Sequence, residues 1–175
     1  SLVSDVSLLE LTDTNSPLLR RLSDEAPGTF QHSLQVANLA EMGAIEIGAN
    51  ALLVRAGAIY HDIGKLRNPM YFIENQSGVM NPHNNIDFDT SAEIIINHVV
   101  DGIKISKENK LPNELTDFIK THHGTTTVEY FYKQYITSFP DEEVDARRFT
   151  YPGPKPFSKE TAILMMADAA EASAR

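Results

Sequence analysis

The chain has 175 residues, 42% of them hydrophobic, with 15 Lys and Arg against 24 Asp and Glu and a formal net charge of -9. That apolar content is enough to bury the core of one ordinary domain, and the acidic balance argues against long nucleic acid as a partner, because duplex binding runs through Lys and Arg on phosphates. The chain has no Cys, which excludes sulfur ligands and fits a reducing compartment without requiring one; no stretch reaches the roughly 20 apolar residues of a spanning helix and no signal peptide opens it, so as given it reads as a soluble piece.

In chain order, residues 1–15 alternate Val or Leu with Ser or Thr around Val3, Val6, Leu8 and Leu11, and are expected to form a short irregular or strand-like linker. Pro17 to Ser23 begins a brief helix. Thr29 is expected to cap a long helix reaching Gly48, in which Leu34, Ala37, Ala40, Ala44 and Ile45 recur at helical spacing. Asn50 is expected to cap the next helix, which ends with His61 and Asp62. Residues 66–89 contain Pro69, Asn75, Gly78 and Pro82, the composition of a long irregular loop, and loops of that length are often functional lids.

Thr90 followed by Glu93 reads as a capping box for the helix carrying His98, and Pro112 as the start of a helix carrying His122 and His123. Val128 to Tyr135 is a further, aromatic-rich helix. The acidic run Asp141, Glu142, Glu143 and Asp145 reads as a solvated face without chemistry. Pro152, Pro154 and Pro156 mark an extended segment before Ser158, which is expected to cap the last helix, with Asp168 inside it. That pattern stops at Ala172 to Arg175 without a capping Gly or Pro, so the C-terminus is expected to be a cut end. The fold class is all-α, a helical bundle. The sequence shows no internal repeat, no Gly-rich phosphate loop and no nucleophilic Ser or Cys arrangement.

The chemistry starts at Ala58-Ile59-Tyr60-His61-Asp62-Ile63-Gly64-Lys65. A carboxylate can bridge two cations through its two oxygens, while each neutral imidazole offers one nitrogen and adds no charge. Two cations roughly 3.5–4 Å apart lower the pKa of a shared water and clamp both oxygens of a phosphodiester displacement. The chain has 6 His. His32 lies early in its helix, His98 interrupts the apolar run Ile94, Ile95, Ile96, Val99, Val100, and His122 continues the buried spacing of Leu115, Phe118 and Ile119. Asp168 sits among Leu164, Met165, Met166, Ala167, Ala169 and Ala170. Any one of these, taken singly, is explained as a hydrogen-bonded core residue, and Asp168 as a capping or paired carboxylate. Five helical segments each bringing a metal-competent residue to an apolar face point instead to a metal centre. His83, after Asn81-Pro82, is expected to be solvent-exposed or to face the substrate.

The order His32, His61-Asp62, His98, His122-His123, Asp168 resembles the binuclear branch of the HD-domain phosphohydrolases. With Tyr71-Phe72-Ile73-Glu74-Asn75-Gln76, Asn81-Pro82-His83 and His122-His123-Gly124-Thr125, it is similar to the seven-transmembrane HD family, the PgpH-type cyclic-di-AMP phosphodiesterases, from about Leu8 to Arg175. The resemblance implies two divalent transition-metal ions, Fe or Mn. One is held by His32, His61, Asp62 and Asp168, the other by Asp62, His98, His122 and His123, with Asp62 as the bridge. It implies hydrolysis of cyclic di-AMP to pApA by a metal-bridging hydroxide, lowering second-messenger levels, with catalytic roles for Asp62 and for Lys65 at the phosphate. Glu74, Asn75, Gln76 and His83 are carried as substrate-side residues, and Tyr71, Phe72, Tyr130 and Tyr132 as aromatics that either line a base pocket or pack in the core. It further implies an HD domain over 16–175 and a membrane region upstream, with the domain at the cytoplasmic face. Oligomeric state is left open, with a homodimer as the form considered.

Three other readings stand beside this one. A cyclic di-GMP phosphodiesterase would carry Gly-Tyr-Pro after the paired His, where this chain has Gly124-Thr125-Thr126. A mononuclear nucleotidase or alarmone hydrolase needs only His32, His61-Asp62 and Asp168, leaving His98, His122 and His123 unexplained. A nucleotide-sensing module would keep the site but turn over slowly.

Overall fold

The computed structural model describes residues 3–78 and 80–174. Ser1 and Leu2 of the expected linker, Val79 of the expected loop, and Arg175, to which the last helical pattern runs, lie outside them. Eight α-helices occur among the described residues: α1 (Asp5–Leu11), α2 (Pro17–Glu25), α3 (Pro27–Glu46), α4 (Ala51–Tyr60), α5 (Phe88–Glu108), α6 (Asn113–Thr121), α7 (Glu129–Ser138) and α8 (Lys159–Ser173). Strand-type pairing is limited there to one isolated antiparallel bridge between Thr127 and Thr150.

The core is built on small residues. Val36, Ala37, Ala40 and Ala44 of α3 are fully buried, and short side chains at this spacing let α4 and α8 pack close against one face. Leu19 and Leu22 of α2, Ile59 of α4, Leu115, Phe118 and Ile119 of α6, and Leu164 of α8 complete the same cluster. α5 packs on the other side, against α6, α7 and the turn that follows α4.

Several helix starts differ from the sequence expectation for identifiable reasons. The N-terminal segment is a helix rather than a strand-like linker: Ser4 caps it by accepting from the Ser7 N–H, and Leu8 turns into the core beside α4. Thr29 lies inside α3, which begins at Pro27, where the fixed φ of proline suits a first helical residue. The capping of α3 comes from far along the chain. Asn75 Oδ1 accepts from the Thr29 N–H at 3.0 Å, and Asn75 Nδ2 donates to Thr29 Oγ1 at 2.9 Å and to the Pro69 carbonyl at 3.1 Å. α5 begins at Phe88 after Asp87, so Thr90 and Glu93 are interior rather than a capping box. Asn50 does cap α4, and Ser158 forms a capping box with Thr161 at the start of α8. The expected loop 66–89 is a series of short 3-10 turns pinned by Asn75 until α5 takes over at Phe88.

One close approach sets the position of His98. A Cβ on Gly64 would lie 1.7 Å from the His98 carbonyl oxygen and 2.6 Å from the Gly102 nitrogen, so the turn after α4 rests directly on the backbone of α5. Only a residue without a side chain permits this. Gly64→Ala is expected to destabilise the fold by about 1–3 kcal/mol and to lower metal binding by the His98 cluster, read by chemical unfolding and by elemental analysis of the purified variant. Wild-type stability and metal content would contradict this role for the contact.

Candidate metal centre

Seven metal-competent side chains come from five places in the fold. His32 is in α3, His61 is the C-terminal cap of α4 with Asp62 next to it, His98 is in α5, His122 and His123 end α6, and Asp168 is in α8. They gather into two groups, His32 with His61 and Asp168, and Asp62 with His98, His122 and His123; within each group the candidate ligand atoms lie within 4.8 Å of one another. All seven are buried except His123, which is half-buried.

Asp62 joins the groups. Its Oδ2 lies 3.4 Å from His61 Nε2 and 3.7 Å from His32 Nε2, while Oδ1 lies 3.3 Å from His98 Nε2 and 3.4 Å from His122 Nε2. Each oxygen therefore faces one group. Asp168 Oδ1 approaches His32 Nε2 at 2.8 Å and His61 Nε2 at 3.5 Å.

The backbone decides which imidazole nitrogen is free. Nδ1 of His61 donates to the Ala58 carbonyl at 2.6 Å and that of His122 to the Ile119 carbonyl at 2.9 Å; His98 Nδ1 donates likewise to Ile95. A carbonyl only accepts, so these contacts put a proton on Nδ1 and make Nε2 the nitrogen whose lone pair the neutral ring offers to a cation. Ala58 and Ile119 are in the last turns of α4 and α6, where carbonyls lack helical partners. The negative ends of both helices also favour a cation at this point. His32 Nδ1 is held differently, by the Glu171 carboxylate, the carboxylate–histidine arrangement that orients metal-binding imidazoles.

The residues fit divalent metal. His61 Nε2 and Asp62 Oδ1 are buried with no hydrogen-bond partner, and His98 Nε2 and His122 Nε2 stand 3.1 Å apart with their lone pairs converging. Buried polar atoms left so are costly, and a cation between them removes the cost. N and O donors without sulfur suit transition metals of the Mn to Zn series.

Electrostatics supports the same reading. Burial pushes the Asp62 carboxyl up, but the Lys65 ammonium and then His61 outweigh it and hold Asp62 well below the usual carboxylate range. Burial acts on Asp168 in the same direction and is outweighed by its hydrogen bond with His32 and by the neighbouring His61. For His61, burial lowers basicity, yet Asp62 and Asp168 raise it to about 9. Burial lowers His122, and burial with the neighbouring His122 and His98 holds His123 well below the normal imidazole value, so both rings are neutral, the form in which an imidazole nitrogen can meet a cation.

Lys65 and Glu74 line a cavity of about 570 Å³ together with His32, Asp62, His123 and Asp168. Lys65 Nζ donates to Asp62 Oδ2 at 2.8 Å and Glu74 Oε1 at 2.6 Å, over the Phe72 ring at 4.9 Å. Asn75, Gln76 and His83 are outside that cavity. Asn75 is occupied with Thr29, Gln76 Nε2 donates to the Met70 carbonyl at 3.0 Å, and His83 Nε2 donates to the Tyr71 carbonyl at 2.7 Å. Two contributors escaped the sequence reading. Glu171 carries a readable signal, because it follows Asp168 by one helical turn and shares its face. Tyr151 carries none: it stacks on His123 at 4.2 Å between centroids and 16° between planes, from an extended proline-rich segment.

Residues 29–173 match the HD domain family model, and the chain belongs to that family. It is 46% identical over 174 residues to the cyclic-di-AMP phosphodiesterase PgpH of Bacillus subtilis (strain 168), covering 99% of this chain and 24% of the relative. Identity to the cyclic-di-AMP phosphodiesterase PgpH of Listeria monocytogenes serotype 1/2a (strain 10403S) is 47% over 175 residues, again 99% and 24%. The crystal structure of the L. monocytogenes PgpH HD domain in complex with cyclic di-AMP superposes with a TM-score of 0.88 at 47% identity, covering 94% of this chain and 76% of that one. This chain spans about a quarter of the length of the curated relatives it matches.

Two outcomes follow from the geometry. Asp62→Ala is expected to lose metal from both groups and His98→Ala to retain about one ion per chain, as counted by elemental analysis after dialysis; equal retention by the two variants would contradict the bridging position. Because His61 is held up to about 9 without metal, it carries a proton at neutral pH that a cation must displace. Apparent metal affinity is thus expected to rise between pH 6 and 9 with proton release, measured by calorimetry in buffers of different ionisation enthalpy. Affinity independent of pH would contradict it.

Proposed function

We propose that the chain is a metal-dependent phosphodiesterase that opens cyclic di-AMP to the linear dinucleotide pApA. The observation that carries the reading is the two ligand groups meeting at one carboxylate, a pattern that a mononuclear site does not need. The likeness to PgpH HD domains, one in complex with cyclic di-AMP, supports the substrate. His32, His61, Asp62 and Asp168 would hold one ion and Asp62, His98, His122 and His123 the other, with Fe or Mn as the metals assigned. When bound, the ions supply an activated water and neutralise charge on the phosphodiester.

The protein's own side chains do the positioning. Among the described residues, Lys65 is the one Lys or Arg lining the cavity. Burial lowers its basicity, but Asp62 and Glu74 more than restore it, so it stays charged across the physiological range. Two of its three donors go to those carboxylates, which leaves one for a phosphate oxygen whose charge grows in the transition state. Glu74, fixed by the Thr29 hydroxyl at 3.1 Å, holds the ammonium at that point. Among the described residues no helix is long and apolar enough to cross a membrane; in the full-length protein we place this domain at the cytoplasmic face of the membrane, joined to it by upstream segments.

Incubation with cyclic di-AMP or cyclic di-GMP, with and without Mn(II) or anaerobic Fe(II), tests the reading by chromatography of products. Metal-dependent release of pApA is expected, with Lys65→Ala lowering kcat by about 10²–10³. Preference for cyclic di-GMP, or tight binding without product, would overturn it.

A further inference from the structure

The geometry points to a purine-base subsite in a second cavity beside the metal cleft, walled by Tyr71, Phe72, Tyr130 and Phe131 and read by Gln76 and Asn81. The inference rests on the phosphodiesterase reading and adds to it where one base of the dinucleotide goes. This cavity, of about 520 Å³, falls in the range of small-molecule pockets. It shares Ile73 and Glu74 with the metal cleft, so the two spaces meet at one short turn. Phe72 forms the partition: its ring lies under Lys65 and meets His98 edge-on at 5.5 Å between centroids.

The walls suit a flat ring. Ile95 and the four aromatics give apolar surface, and Tyr130 at the rim is 65% exposed, leaving area for stacking. No Lys or Arg is among the described lining residues, and Glu74 is an anion there. A phosphate is therefore excluded from this cavity and belongs to the metal side, while a neutral base is accommodated.

The polar groups are oriented before any ligand arrives. Gln76 Nε2 donates to the Met70 carbonyl and to Asn81 Oδ1, and Asn81 Oδ1 also accepts from the His83 N–H at 3.1 Å. These bonds fix both amides. Gln76 Oε1 remains as an acceptor and Asn81 Nδ2 as donors, neither with a partner among the described residues. His83 lines the same cavity, and with Nε2–H directed to Tyr71 its buried Nδ1 is a further acceptor without a partner. A purine edge presents a donor beside an acceptor, as in the amino group and adjacent ring nitrogen of adenine, and so matches the amide pair.

Two measurements test the subsite. In the first, kcat/KM for cyclic di-AMP is divided by kcat/KM for bis(p-nitrophenyl) phosphate, a diester without a base. Tyr130→Ala and Asn81→Asp are each expected to lower this ratio by about tenfold, within the range known for lost base stacking. A ratio equal to wild type in both variants would overturn the inference. In the second, saturation-transfer NMR on the zinc-loaded chain is expected to show contact with adenosine, none with ribose, and loss of contact in Tyr130→Ala. No transfer to adenosine at millimolar concentration, or transfer that survives the substitution, would overturn it. Should the wild type cleave bis(p-nitrophenyl) phosphate and leave cyclic di-AMP intact, the proposed function falls alone and the NMR result decides the subsite.

Discussion

The structure depends on a carboxylate in an unfavourable place. Asp62 is buried where α3, α4, α5, α6 and α8 each bring a side chain, ionised, with imidazoles on both of its oxygens. A buried charge of this kind is costly unless it is paired. Lys65 supplies one counter-charge at Oδ2, but Oδ1 has no hydrogen-bond partner. On the proposed reading two cations would satisfy the remaining demand, which would couple metal occupancy and stability of the fold through one side chain.

Rigid parts hold that side chain in place. The ends of α4 and α6 present free carbonyls that fix His61 and His122, and Gly64 lets the turn after Asp62 sit on the backbone of α5, which carries His98. A polar relay runs from the N-terminus of α3 to the same carboxylate: Thr29 Oγ1 donates to Glu74 Oε1, which accepts from Lys65 Nζ, which donates to Asp62 Oδ2. Asn75 closes the relay by capping α3. The loop between α4 and α5 is thus a structural brace for the cleft on one side and the floor of the second cavity on the other.

What the sequence made legible follows from chemistry. The candidate ligands stand out because His and Asp are rare on apolar helix faces, and each interrupts a helical pattern at a readable position. The all-α fold was legible for the same reason, from the 3.6 period of long segments such as α3 and α5. Helix starts were less so. Thr29 and Thr90 have cap chemistry, but α3 is capped by Asn75 from across the loop and α5 begins at Phe88, directly after Asp87 and ahead of Thr90. The first segment looked strand-like because short apolar alternation does not separate the two periods; Ser4 capping and burial of Leu8 decide for helix. Tyr151 reaches His123 only through tertiary packing, which no local pattern encodes.

The central claim is that Asp62 joins the two groups into one binuclear centre. Anomalous diffraction from crystals of this chain grown with Mn(II), collected on both sides of the Mn edge, tests it directly. The account predicts two peaks about 3.5–4 Å apart, one on each oxygen of Asp62, the first among His32, His61 and Asp168 and the second among His98, His122 and His123. A single peak, or two peaks of which either leaves Asp62 out, would contradict it.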